Sequence, residues 1–173
     1  MLKIKWSQDE IALTLRRLKM SLEDRAAVHR IMGEVLLRNT QRRFRREVSP
    51  EGKRWPALSP VTLAARRNKR GILRDSGELI GSIHMQADAR RAEVGTPLKH
   101  PKVLVHQYGA TIRPRRAKAL RIPGAGSVVP GRNHPDLFVK GVKVPPRPYI
   151  GIGREDAADV LEALEGWLQH RLK

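Results

Sequence analysis

The sequence predicts an α+β fold: long amino-terminal helices, a small antiparallel β-sheet and a closing carboxyl-terminal helix, with a Gly/Pro-rich extended loop or arm. Three observations carry that prediction. Apolar residues recur at helical spacing near both ends, at Val28, Ile31, Met32, Val35 and Leu36 and again at Val160, Leu161, Leu164, Trp167 and Leu168. Short segments with alternating polarity occupy the middle of the chain. Between Pro123 and Lys143 glycine and proline dominate, as in "GAGSVVPGRNHPDLFVKG". The 173 residues suit one domain spanning 1–173, with a mobile arm over 123–143.

In chain order, Ser7 and Glu10 stand at capping-box spacing, so a first helix is expected from about Gln8 through Ile11, Leu15 and Leu18. Ser21 and Asp24 mark the start of a second helix running to about Arg46, whose last turns gather cations where the helix dipole favours them. "PEGKRWPALSPVT" follows, too rich in proline for a regular element and carrying Trp55, which is expected to anchor the loop with Leu58. Ser59 and Pro60 read as N-cap and first residue of a short helix, "SPVTLAARRNKR", ended by Gly71. Asp75-Ser76-Gly77 signals a turn or cap before a brief helical turn at Leu79 and Ile80. "GSIHMQA" and "RRAEVGT" flank Asp88-Ala89-Arg90 as a β-hairpin. "HPKVLVHQYGA" fits either a strand or a short helix ending at Gly109, and "ATIRP" and "KALRIP" read as strands.

Charge narrows the function classes. The formal net charge is +18, and no acidic residue occurs from Val94 to Pro135. By contrast "REDAADVLEALE", residues 154–165, is strongly acidic. Such an excess of cations implies an anionic partner, and a basic middle with an acidic end allows copies of the chain to meet head to tail. A solvated basic face without specific purpose is the plainer account of the same charges. The absence of cysteine excludes disulfides, thiolate zinc sites and a cysteine nucleophile. No apolar run approaches the ~20 residues that span a bilayer, and no signal peptide is evident, so a soluble intracellular product without membrane contact is expected.

No catalytic or metal site is legible, and neither enzyme activity nor a cofactor is expected. His29, His84, His100, His106, His134 and His170 form no HxH or HExxH pattern. Asp75, Ser76 and His84 could be imagined as a triad, but nothing resembles a nucleophile elbow around Ser76. The glycines of "PGAGSVVPG" lack the strand–helix context of a phosphate loop. "TIRPRRAKALRIP" is the best candidate for contact with a partner or with DNA, through Arg113, Arg115, Arg116, Lys118 and Arg121, with Arg132 further along. It contains no stacking aromatic, which favours nonspecific phosphate contact or an acidic protein surface over base readout.

Five pieces in order carry a family resemblance. They are Phe44 with Pro50, Gly52, Trp55, Leu58 and Thr62; Ile72, Leu73, Ser76, Gly77 and Leu79; Val94, Gly95 and Thr96; His106, Gln107 and Gly109; and Arg147, Pro148, Tyr149, Ile150 and Gly151. Together they resemble the virion morphogenesis proteins of Mu-like tailed phages, related to the tail-completion proteins of P2-like phages, from about Val28 to the carboxyl end. The 123–143 segment is longer than that family's pattern, and Pro146 stands where alanine is common.

The resemblance implies a structural protein of the virion at the head–tail junction, assembled in the host cytoplasm and needed to join head and tail. It implies a ring of copies, a hexamer or alternatively a dodecamer, against neck, connector and tail-tube or terminator proteins, with nonspecific contact to packaged DNA. The alternative reading is a nonspecific basic DNA-binding protein. Trp55, Leu58, Leu73, Gly77, Gly95, Gly109, Arg147, Pro148 and Gly151 are read as fold markers of the family.

Overall fold

A 25-residue helix, α1 (Leu22–Arg46), organises the chain in a computed structural model that describes residues 2–5, 22–66, 70–123, 125 and 135–171. The first expected helix, from about Gln8, lies outside the described residues. The buried positions of α1 are Val28, Met32, Val35, Leu36, Asn39, Thr40, Arg43 and Phe44, which follow the 3.6-residue repeat along one face. The helix ends in a Schellman-type turn: Val48 N–H reaches the Arg43 carbonyl at 3.2 Å, and Glu47 takes the left-handed conformation at φ 57°. A non-glycine residue is held there because its carboxylate accepts from the Ile72 N–H at 2.7 Å, which ties the helix end to the next loop.

The main sheet has strand order β1-β3-β2, antiparallel throughout, from β1 (Leu2–Lys5), β2 (His84–Ala87) and β3 (Ala92–Thr96). The β2–β3 hairpin turns where the sequence places it, with the Asp88 carboxylate accepting from the N–H groups of Arg90 (2.6 Å) and Arg91 (3.0 Å). Strand β1 is an addition to the sequence reading; its four residues are too short to show a period.

Two apolar clusters sit against α1. One joins Leu36 and Phe44 to Trp55, Ile72, Ile83, Val94, Val103, Tyr149 and Ile150. The other joins Val28, Met32, Val35 and Ala92 to Val160 of the closing helix α5 (Arg154–Arg171). Each large side chain so buried contributes about 1.5–3 kcal/mol. On α5, Val160 is buried with Ala163, Leu164 and Trp167 beside it, whereas Leu161 is 56 % exposed. The expectation that Leu161 joins this face is corrected: it follows Val160 by one residue, a rotation of about 100° on a helix.

Between these elements lie three short helices. In α2 (Pro60–Ala65) Ser59 is the N-cap, accepting from the Thr62 N–H at 3.2 Å. The helix stops at Ala65 rather than continuing toward Gly71. Arg66 is extended (ψ 142°), and its guanidinium turns to the Gly71 carbonyl at 2.7 Å. In α3 (Glu78–Gly81) the cap is Gly77, in the left-handed region at φ 81°. The ambiguous "HPKVLVHQY" is helical: α4 (Pro101–Tyr108) starts at a His100 cap whose ring Nδ1 accepts from the Lys102 N–H at 3.2 Å.

From Gly109 the chain forms an arm of short paired segments, in which Asp136 and Leu137 are buried. β4 (Ala110–Ile112) pairs with β7 (Val142–Val144), and β5 (Leu120–Ile122) pairs with β6 (Leu137–Val139), both antiparallel. The pairings are nested, so the arm is one outgoing and one returning leg. Residues 137–144, read from sequence within a Gly/Pro-rich loop, thus include two strands. Residue 124 and residues 126–134, with Arg132, lie outside the described residues.

Candidate assembly interface

The base of the arm is built from the five sequence pieces that carry the family resemblance. Phe44 is fully buried, with Trp55 edge-on at 5.6 Å between ring centroids and Tyr149 tilted at 5.2 Å. The loop carrying Trp55 and the segment carrying Tyr149 clasp each other. Trp55 Nε1 donates to the Pro148 carbonyl (2.8 Å), while the Arg147 guanidinium donates back to the carbonyls of Pro56 (2.9 Å) and Ala57 (3.0 Å). Burial lowers the Arg147 pKa from its usual value although those two carbonyls accept from the guanidinium, and the Arg147 backbone N–H donates to the His106 carbonyl at 2.7 Å.

Gln107 completes the clasp. Its side-chain oxygen accepts from the N–H groups of Tyr149 (3.1 Å) and Ile150 (3.2 Å), and its amide donates to the Ile150 carbonyl at 2.7 Å. One buried amide therefore satisfies a stretch of backbone that lies outside any helix or strand. The Tyr149 hydroxyl donates to the Val103 carbonyl at 3.1 Å, and burial raises its pKa. Gly109 turns the chain out of α4 at φ 74°; a Cβ there would lie 2.9 Å from the Pro146 nitrogen, so both conformation and contact require glycine.

A buried ion pair fixes the closing helix to this base. Asp156, fully buried in the first turn of α5, pairs with the Arg43 guanidinium and accepts from Asn39 Nδ2 at 2.9 Å and from the Gly153 N–H at 2.6 Å. Arg43 also donates to the Gly151 carbonyl at 2.8 Å. On the surface beside it, Arg42 meets Asp159 at 2.8 Å and Glu155 at 3.6 Å, and Arg46 meets Glu155 at 3.8 Å. The last turns of α1 and the first turns of α5 thus pair their charges within a single chain. A cleft of about 610 Å³ lies over this seam, lined in part by Arg42, Arg46, Lys53 and Arg154.

The remaining marker residues are structural in their surroundings. Leu58 and Leu73 pack on the main cluster, and Leu73 has a positive φ of 59°. Gly95 sits in β3 opposite Lys3 and His84. Thr96, fully buried, shares a hydroxyl–hydroxyl hydrogen bond of 2.7 Å with Ser82.

The arm differs in character. Its legs fall out of step: Ile112 pairs with Val142, whereas Leu120 pairs with Val139. Seven residues, 113–119, therefore lie opposite only two, Lys140 and Gly141. That bulge displays Arg113, Arg115, Arg116 and Lys118, all exposed. Arg121 is set apart from them, bound to Asp136 at 2.5 Å. The arm also exposes Ile112 (40 %) and Phe138 (45 %), continuing an apolar surface chemistry seen on α4 at Leu104 and Tyr108.

The imagined chemical groups are engaged otherwise. His100 caps α4; Ser76 Oγ accepts from the Glu78 N–H at 3.2 Å. His84 Nδ1 lies 3.0 Å from the Ser82 carbonyl. Among the described residues no group of three His, Asp or Glu is placed to hold a metal ion, and no helix is long and apolar enough to cross a membrane.

Sequence reasoning missed the Arg43–Asp156 pair, taking those charges as helix-end ornaments. The available signal was periodicity: Asn39 and Arg43 continue the spacing of Val28, Met32 and Leu36, placing polar groups on the buried face.

Comparison with known proteins agrees in direction. The family model for phage virion morphogenesis matches residues 6–169. A protein of Escherichia phage Mu, named as capsid assembly protein G, is 26 % identical over 165 residues, covering 89 % of this chain and 90 % of its own. No solved structure matches the chain at a significant level.

Proposed function

This chain belongs to the phage virion morphogenesis family, and on that premise we propose that it is a ring component of the head–tail connection, acting in tail completion or in the neck. Its place in the class is an assembly or structural role in the virion. The observation that carries the finer reading is the arm. Two-stranded ribbons are marginal on their own in water, and this one leaves Ile112 and Phe138 exposed on a base that is itself rigidly clasped. Such an arm is completed by a neighbour, and a heterologous contact repeated around an axis closes a ring. The partners of this reading are copies of the chain, six or twelve, and the adjacent connector and tail-tube or terminator proteins.

The first turns of the acidic helix are engaged within the chain, where Glu155, Asp156 and Asp159 face Arg42, Arg43 and Arg46, which leaves Glu162 and Glu165 exposed for a head-to-tail contact. The subunit contact in this reading is the arm's apolar surface. Electron microscopy of particles from a phage lacking the gene tests it: full heads and unattached tails, or tails of abnormal length, are expected. Normal joined particles would refute it.

A further inference from the structure

The bulge at 113–119 carries charge without the anchors that protein partners use. Its four cations occupy six consecutive positions, Arg113 to Lys118, and their neighbours are only Pro114 and Ala117. Lys140 stands on the short returning stretch opposite, and Lys143 follows in β7, exposed like the four. The sole acidic residue of the sequence from Ala110 to Val144 is Asp136, and it is bound to Arg121. Nothing in the arm's own composition neutralises the bulge.

Two anionic partners could meet it: an acidic protein surface or a nucleic-acid backbone. Protein interfaces are organised around aromatic and aliphatic anchors in a desolvated centre, and lysine is depleted there. The bulge offers no such anchor. On a second copy the first turns of α5 are already held by α1 of the same chain, so the exposed acids of α5 outside those pairs are reduced to Glu162 and Glu165. Phosphates, in contrast, are held by exposed Arg and Lys without apolar partners, and the missing aromatics remove base stacking and leave sequence-independent contact.

We propose that the 113–119 bulge, with Lys140 beside it, is a duplex-DNA backbone contact, which binds phosphates without reading sequence. This deepens the head–tail reading and rests on it only for where the DNA is met.

The test uses the full chain and a 30-base-pair duplex of arbitrary sequence, titrated by fluorescence anisotropy at several salt concentrations. Each phosphate neutralised contributes about −0.9 to the slope of log K against log salt. R113A/R115A/R116A/K118A is expected to flatten the wild-type slope by about 3 to 4, while melting at the wild-type temperature. A control of equal charge, R25A/R30A/R38A/R45A on the exposed face of α1, is expected to keep the wild-type slope. The proposal would be overturned by no binding by the wild type, by equal flattening in both variants, or by an unchanged slope in the bulge variant. Tighter, bulge-dependent binding to polyglutamate than to the duplex would also overturn it, in favour of an acidic protein. The two readings fail separately: joined particles without the gene remove the head–tail role, whereas these titrations decide the DNA contact alone.

Discussion

The base and the arm are made by opposite means. In the base, polar side chains bind across long sequence separations: Arg147 and Trp55 each donate across the clasp, Gln107 serves two residues of backbone, and Asp156 collects Arg43, Asn39 and the Gly153 N–H. In the arm, Ile112, Phe138 and the cations of the bulge are exposed while Leu137 and Asp136 are buried, and the ladders are three residues long. The difference teaches where the motif residues act. They make the packing and hydrogen bonds of the base, while the exposed surface of the arm is marked mainly by charge.

Breaking the base should be costly, and the largest effect is expected at the buried pair. Asp156→Ala leaves Arg43 buried without its carboxylate, a change that costs about 3–5 kcal/mol. Urea denaturation should show most of the stability lost, and soluble yield should fall. Gly153→Ala comes next. Its Cβ would collide with the Pro50 carbonyl oxygen, a backbone atom that cannot swing aside, so about 1–3 kcal/mol is expected, read as a lower melting temperature. Trp55→Phe keeps the ring against Phe44 but deletes the donor to Pro148, and should cost about 0.5–1.5 kcal/mol.

A smaller effect should appear as pH dependence. Burial, with the charges of Arg147 and Lys102, lowers the His106 pKa in the folded state. The unfolded chain then binds the proton more readily, so the stabilising contribution is present above the ordinary histidine range and is lost as pH falls toward the folded value. His106→Gln should flatten the fall in melting temperature on acidification from neutral pH. An equally steep fall in the variant would assign the acid sensitivity to other groups.

The smallest stability effect is expected in the arm. Ile112→Ser with Phe138→Ser removes exposed apolar surface, and each change should stay within about 0.5 kcal/mol in the isolated protein. If the double variant melted far below the wild type, those side chains would belong to the chain's own core, and the contrast between base and arm would disappear.

Much of this was legible in the sequence, for physical reasons that differ by region. The α1 face and the Asp88 turn follow from periodicity and turn chemistry, which are local. The order of the motif pieces identified the family, though not that Gln107 and Arg147 bind backbone across sequence separations of about 40 and 90 residues. Side-chain to backbone bonds of that range leave no period. "HPKVLVHQY" was ambiguous because three apolar residues in a row suit strand and helix alike, and the His100 cap decides it. "ATIRP" and "KALRIP" were legible as strands, whereas their partners β6 and β7 were hidden because three-residue ladders beside Gly and Pro carry no alternation long enough to recognise. Leu161 and the end of α2 show the converse error, where a local pattern was extended past the point at which packing stops using it.

The central claim is that a rigid base presents an arm whose apolar surface is completed by other subunits in the virion. It is tested most directly by complementing a phage deleted for the gene with the I112S/F138S protein and imaging the particles. The account predicts unjoined heads and tails despite a soluble protein with wild-type melting. Joined, infectious particles at the wild-type frequency would contradict it.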